Sequence, residues 1–477
     1  MKYFSVILLV TCSILNSNSA FGQAKTDGPW SLEECIAHAF EQNLSLQDQA
    51  LVRDRQKVAL EQSKMARYPN LNSSLGHNYN FGRAIDPFTN QFVNQSIQSN
   101  NFNLSSSVTL YNALRIKNTI TLNELLLEKG HSDIDANKNQ LIRNVTIAYL
   151  NIISASQNLK TAQQQDSTTK TQIERVERLV KGGRLNRGEL LNLKAQNSND
   201  LLAIQRAEGS VKSAYLNMRQ LIQVAPSVNF EIQIPVVLDV WNFKTDDMEE
   251  VVQRSIDELP SMRSANQLKQ IRQLNEQIAK AGLQPRVSLF ANLNSVYSQS
   301  RKETFNERPK IVEIGYVEGS GTTVLRDAFD YDTRTTPFGN QLSDNFGQSA
   351  GLSVTVPIFN NHQVKSQIAN AEIGIEQAEV FISTVKNTIR SDIWTAYNDL
   401  SNSLASYKAA KASEEAQKEN YSFTEKRFNN GLITSAELIM ARNNWRQSQI
   451  ELQRAQYQLM FSQSTVHFYR TGEIRLN

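Results

Sequence analysis

One offset constrains this chain more than any other feature. Val108, Asn112, Ala148, Tyr149, Gly183, Glu189, Leu190, Arg206 and Ala207 recur as Val356, Asn360, Ala396, Tyr397, Gly431, Glu437, Leu438, Arg454 and Ala455. The shift is constant (356 − 108 = 248) and runs without a gap for over a hundred residues. An internal duplication of this length means one architecture built twice. What is duplicated is a long helical hairpin, roughly Ala113 to Ile222, turning at Lys181-Gly182-Gly183-Arg184-Leu185-Asn186-Arg187-Gly188. Its rising arm carries Leu141, Val145, Ala148, Ile152, Ala155, Leu159 and Ala162 at 4-3 spacing, matched by Ile389, Ile393, Ala396, Leu400, Ser403, Tyr407 and Ala410. The returning arm places Leu190, Asn197, Ile204, Val211 and Met218 every seven residues, matched by Leu438, Trp445, Leu452, Leu459 and Val466. Sustained heptads predict helices packed side by side in a supercoil. At 1.5 Å per residue the rising arm is roughly 100 Å long, far more than a compact domain needs.

The duplication begins upstream at a different offset. Ser31-Leu32-Glu33-Glu34 is a capping box, and the helix it opens is expected to run to about Arg67, before Pro69. Asp247-Met248-Glu249-Glu250 repeats that start, with a helix to about Gly282 before Pro285. Here the shift is 216 (285 − 69), so the second copy holds 32 extra residues (248 − 216) between its strands. The organisation expected is a signal peptide over 1–22, a first repeat over 23–223, a connector over 224–245 with Pro226 and Pro235, and a second repeat over 246–477. Lys2, the apolar Phe4–Leu15 stretch and Ala20-Phe21-Gly22 carry the export reading. A second reading makes Cys12 an acylated cysteine, although Thr11 is bulky for the position before one. Cleavage leaves Cys35 alone, with no internal disulfide and a buried helical position expected.

Between helix and hairpin, each copy alternates with period two. Leu71, Ser73, Leu75, His77, Tyr79 and Phe81 form one face, against Asn72, Ser74, Gly76, Asn78 and Asn80. Phe102, Leu104, Ser106, Val108 and Leu110 alternate with Asn103, Ser105, Ser107 and Thr109. The second copy offers Val287, Leu289, Ala291 and Leu293, then Ala350, Leu352, Val354, Val356 and Ile358. About ten residues is the length of a tilted membrane-spanning strand. The polar face is Asn, Ser, Thr and Gly, almost without charge, whereas a water-facing sheet usually carries Lys and Glu. Tyr79, Phe81, Phe102, Tyr111, Tyr297, Phe346 and Phe359 cluster at strand ends, as interfacial girdles do, although aromatics are also common in ordinary strands. Each strand pair brackets a polar loop: Gly82–Pro87 in the first copy, and about 298–345 in the second. After the signal stretch no run of some 18 apolar residues occurs, so no membrane-spanning helix is expected.

Chemistry-bearing constellations are few. His38, His77, His131, His362 and His467 lack metal-ligand spacing. Gly319-Ser320-Gly321 has no strand-to-helix context for a phosphate cradle. Asp327, Asp330 and Asp332 read as a solvated loop rather than a cation site. No enzymatic constellation and no cofactor motif is present, and 50 basic against 47 acidic residues leave no footprint for nucleic acid. Glu189 and Glu437 are more informative, each six residues past the aligned turn glycine at the start of a returning helix. They suit a helix N-terminus or a carboxylate ring at a channel mouth.

Four strands cannot close a barrel, and an open edge in lipid leaves backbone groups unsatisfied. Strands that span a membrane therefore require oligomerisation: two copies give eight strands, three give twelve, and twelve leave a lumen. In its order of motifs the chain resembles the TolC-like outer-membrane efflux family. The carriers are Ser31-Leu32-Glu33-Glu34-Cys35-Ile36, Ala66-Arg67-Tyr68-Pro69-Asn70-Leu71, Val108-Thr109-Leu110-Tyr111-Asn112, Val356-Pro357-Ile358-Phe359-Asn360 and Arg427-Phe428-Asn429-Asn430-Gly431-Leu432-Ile433. The resemblance implies a mainly α chain with a membrane β-barrel: a homotrimer whose twelve-stranded barrel in the outer membrane continues into a periplasmic α-barrel of coiled-coil hairpins. It implies a passive, non-enzymatic exit duct serving a periplasmic adaptor and an inner-membrane transporter. The adaptor-facing tips it implies are Gly182, Gly183, Arg184 and Leu185, with Asn430, Gly431, Leu432 and Ile433. Some relatives carry a second acid one turn after the first; here Met440 holds that place, and Phe428 and Ile433 stand where such relatives carry polar gating partners. The competing class is a secreted periplasmic coiled-coil adaptor or scaffold, which would not need four uncharged, membrane-length strands.

Overall fold

The computed structural model describes residues 28–85, 90–94, 96–225, 228–234 and 248–472. The signal stretch, Cys12, Asp247 and most of the expected connector lie outside the described residues.

The duplication is visible element by element. Helices α1 (Leu32–Gln42) and α2 (Leu44–Met65) are followed by strand β1 (Asn70–Asn80), a small hairpin of β2 (Arg83–Ile85) and β3 (Phe92–Asn94), and strand β4 (Ile97–Tyr111). Helices α3 (Arg115–Lys181) and α4 (Arg187–Ile222) complete the first copy. The second copy runs α5 (Met248–Glu258), α6 (Pro260–Lys280), a 3-10 turn over Ala281–Leu283, and β5 (Arg286–Ser298). It continues through β6 (Lys302–Tyr316), β7 (Thr323–Thr335), α7 (Phe338–Asp344), β8 (Gly347–Thr355), α8 (Gln363–Asn429) and α9 (Ser435–Thr471). Helices α3 and α8 are each 67 residues long, and both their ends differ by 248.

Two expected helices are broken. The helix opened at Ser31 stops at Asn43, whose side-chain oxygen accepts from the N–H groups of Ser45 and Leu46 and so starts α2 afresh. Its amide donates to the Leu221 carbonyl at 3.1 Å. The matching break in the second copy falls at Leu259, because Pro260 lacks the N–H to continue a helix but suits the first position of the next. The 298–345 stretch is likewise not a loop. It holds the antiparallel β6–β7 ribbon, turning at the left-handed Gly319 and Gly321, and then α7. The Gln341 side chain, fully buried on α7, accepts from the Ser298 N–H and donates to the Ser298 and Thr336 carbonyls, which fixes the base of the ribbon. Asp332 is engaged by Arg308 and Asn306 across this ribbon.

The described residues form two compact units. One contains the strands, from Gln56–Leu127 and Lys269–Gln377. Its main sheet is antiparallel in the order β1-β4-β5-β8. The register puts Leu71, Leu75, Phe102, Leu104, Val108, Leu289, Leu293, Leu352 and Val354 on one face. The other face is mainly polar and almost uncharged, with Asn72, Ser105, Asn292 and Ser349 side by side in one row and Arg286 at the start of β5. The apolar face is open, Leu71 and Leu75 being 71% and 75% exposed. Aromatic ends behave unevenly: Phe102 and Tyr297 pack on Phe338 of α7, whereas Phe81 and Phe359 are exposed. At the strand-to-helix junctions Ala113 and Leu114 take positive φ, and so do their equivalents Asn361 and His362.

The other unit holds the remaining helical residues, so far as Met1–Arg55, Glu128–Leu268 and Ala378–Asn477 are described. Heptad residues Leu141, Val145, Ala148 and Ile152 form a core with Trp30, Cys35 and Met218. Their equivalents Ile389, Ile393 and Ala396 form another with Val251, Val252 and Phe468. The start of the connector contributes a parallel bridge between Ile232 and Trp30, and the Tyr149 hydroxyl donates to the Trp30 and Gln233 carbonyls. Among the described residues no helix is long and apolar enough to cross a membrane.

Candidate functional site at the paired hairpin turns

Both long helices end in the same way. Gly183 and Gly431 adopt left-handed φ of 68° and 72°, a conformation that favours glycine. Around them, Gly183 N–H and Arg184 N–H donate to the carbonyls of Val180 and Leu179. Gly431 N–H and Leu432 N–H donate to those of Phe428 and Arg427. This paired bonding satisfies carbonyls that a helix end leaves free. After each turn a capping residue restarts the chain. Asn186 accepts from Gly188 N–H, and Thr434 forms a reciprocal capping box with Glu437.

The structure distinguishes the two matched acids. Glu437 caps its own helix through Thr434 and remains exposed. Glu189 reaches across to the other hairpin, where its Oε2 accepts from the Ser435 N–H at 2.7 Å. The first acid therefore caps the second copy's helix, a charge-assisted bond to a helix N-terminus. Beneath the turns Val176, Leu193, Phe428, Leu438 and Ala441 are buried together, with Leu185 and Ile433 partly covered. Phe428 and Ile433 thus bind the two hairpins by apolar contact. Gly182, Gly183, Arg184, Asn430, Gly431 and Leu432 are exposed, Leu432 at 66%, and Met440 also faces outward. Arg175 and Asn429 join across the hairpins.

Further from the turns the seam becomes polar. Tyr421 stacks on Trp445 at 5.1 Å, and Trp445 Nε1 donates to Glu414 at 2.9 Å. Burial, helped by the Glu425 carboxylate, pushes the Tyr421 hydroxyl up to about 12. Asp200 on α4 is fully buried and accepts from the Thr169 hydroxyl and the Gln196 amide. Arg442 and Arg446, one turn apart on α9, face it with N···O separations of 3.9 and 3.6 Å. Sequence reasoning missed this cluster. Its signals were Asn197, a polar residue in a heptad position, and Arg442, four residues past Leu438 and three before Trp445.

A two-faced sheet, almost uncharged on its polar side and attached in sequence to helices of this length, suits a membrane channel. Comparison with known proteins agrees. The family model described as outer membrane efflux protein matches residues 35–223 and 251–467, and the chain belongs to that family. It is 22% identical over 435 residues to the outer membrane protein TolC of Escherichia coli (strain K12), covering 89% of this chain and 78% of TolC. Among solved structures it superposes on the outer-membrane channel OprN with a TM-score of 0.72 at 16% identity, covering 93% of this chain and 90% of that one. The Campylobacter jejuni CmeC outer membrane channel gives 0.71 at 15% identity, covering 94% and 86%. The chain is thus an outer-membrane efflux protein of TolC-like fold, with a large periplasmic helical portion.

Proposed function

We propose that three copies of this chain form the passive exit duct of a tripartite export system. The observation that carries it is the four-stranded sheet, with one apolar and one almost uncharged polar face and with β1 and β8 as its outermost strands. Three such sheets, paired β8 to β1, give twelve strands around a lumen and leave no edge in lipid. In this arrangement the long hairpins surround a periplasmic tunnel that carries out no chemistry on what it passes.

The exposed residues Gly182, Gly183, Arg184, Asn430, Gly431 and Leu432, with the half-buried Leu185 and Ile433, are the docking surface for a periplasmic adaptor bound to an inner-membrane transporter. Docking favours an open arrangement of the tips over a constricted one by binding it more tightly. Glu189 and Glu437 stand at the tunnel mouth and favour cations. A photo-crosslinker at Arg184 or Leu432 in cells is expected to capture a periplasmic adaptor, and capture from neither turn would refute the docking assignment. Planar-bilayer conductance separates the acid role, because Glu189→Gln with Glu437→Gln removes charge while keeping hydrogen-bonding oxygens. An unchanged cation preference would show that the acids serve only as caps. Recovery of the chain in the soluble periplasm without detergent would instead favour the adaptor class.

A further inference from the structure

The seam between α4 and α9 brings two guanidinium groups to one carboxylate without hydrogen bonds between them. Arg442 is 1% exposed, and among the described residues its Nε, Nη1 and Nη2 have no hydrogen-bond acceptor. Arg446 lies one turn away with its Nε also without an acceptor. Asp200 is the carboxylate paired with both, but at 3.9 and 3.6 Å it lies beyond hydrogen-bonding distance. Its two oxygens already accept from Thr169 and Gln196. Besides Asp200, the Tyr421 hydroxyl and Arg446 act electrostatically on Arg442. Tyr421 directs its proton to Glu425.

Arg442 and Asp200 are closed to solvent and the Arg446 side chain is 20% exposed, so two guanidinium groups share one carboxylate in a largely closed seam. Buried charge is strongly disfavoured unless it is paired and hydrogen-bonded. Water would satisfy these N–H donors, whereas an anion also balances the second guanidinium. A neighbouring molecule's carboxylate has no approach to Arg442, because this chain's own packing covers it. We propose that Arg442 and Arg446 hold a small inorganic anion of halide size between α4 and α9. A monatomic anion suits the site in two ways. It accepts N–H bonds from any direction, and it needs the least space in an enclosed seam. Bound there, it ties the returning arms of the two hairpins together behind the turns.

The test uses the purified full chain in detergent. Thermal unfolding is compared in sodium chloride and sodium gluconate at one ionic strength. Chloride is expected to raise the midpoint by about 2–4 °C along a saturating curve, and Arg442→Met is expected to abolish the difference. Anomalous diffraction from bromide-soaked wild-type crystals gives an independent readout should that variant fold poorly. The expected result is a bromide peak against the Arg442 guanidinium. Equal midpoints in the two salts, a chloride effect retained in Arg442→Met, or only water at Arg442 would each overturn the proposal.

Discussion

At the residue scale, Arg442 and Asp200 show how position outweighs type. Most Arg and Asp side chains of this protein are solvated, yet these two are sealed between helices of different copies. Removing one member of a buried pair strands the other, typically at about 3–5 kcal/mol. Asp200→Asn should therefore lower unfolding stability by about that amount in a denaturant titration. Adding Arg442→Met should recover part of the loss, and a strictly additive double variant would show the two residues uncoupled. Buried weak acids make stability depend on alkaline pH. Burial, with Glu34 and Glu33 nearby, pushes the Cys35 thiol from 9.0 up to about 12, and Tyr421 rises from 10.0 to about 12. Both groups ionise less readily when folded, so their neutral forms contribute stability that is fully present below about pH 9. That contribution is lost as pH climbs from 9 toward 12. Circular dichroism followed over that range should show cooperative loss of helix, whereas a flat trace to pH 12 would contradict the burial of these groups.

At the element scale, local sequence was a good guide to helix ends and a poor one to helix interruptions. The turn glycines, the capping box at Ser31 and the strand alternation were all legible, because each depends on a few adjacent residues. Pro260 was an available stop signal. Asn43 caps α2 through the adjacent Ser45 and Leu46, but the bond from its amide to the Leu221 carbonyl, 178 positions away, is not readable from local sequence. The strand-to-helix junctions hold a second feature invisible to pattern. Ala113 and Leu114 have φ of 51° and 63°, and Asn361 and His362 repeat this at 49° and 65°. Such φ values are unfavourable by roughly 1–2 kcal/mol per non-glycine residue. Leu114 is 61% exposed, so Leu114→Gly should relieve strain while sacrificing little packing. A thermal midpoint raised by the equivalent of about 1 kcal/mol is expected, and a lowered midpoint would mean that the Leu114 side chain stabilises the junction.

At the scale of the whole molecule, the two faces of the sheet have different solvents. A charged side chain on the lipid face of a barrel strand near mid-bilayer is unfavourable by about 2–4 kcal/mol, while lumen positions tolerate charge. Leu75 and Ser74 are neighbours on β1 but point to opposite faces. Leu75→Arg is expected to reduce the heat-resistant oligomer recovered from outer membranes, and Ser74→Arg to leave its amount unchanged while altering conductance. Equal loss in both variants would refute the assignment of faces. The matched acids belong at this scale as well. Equivalent by sequence, they diverge because Glu189 meets the other copy's helix and Glu437 meets its own.

By itself, the sequence determined the duplication, the helical period, the two-faced strands and the turn glycines. Those features arise from backbone preference and from the division of apolar and polar side chains along one element. Only the tertiary structure decided which groups meet: Asn43 with Leu221, Glu189 with Ser435, Gln341 with Ser298, and Asp200 with two arginines. Each joins residues distant in the chain, and the strength of a polar contact depends on the burial that packing imposes. A period of seven can say that Arg442 faces a seam, but not that the seam is dry.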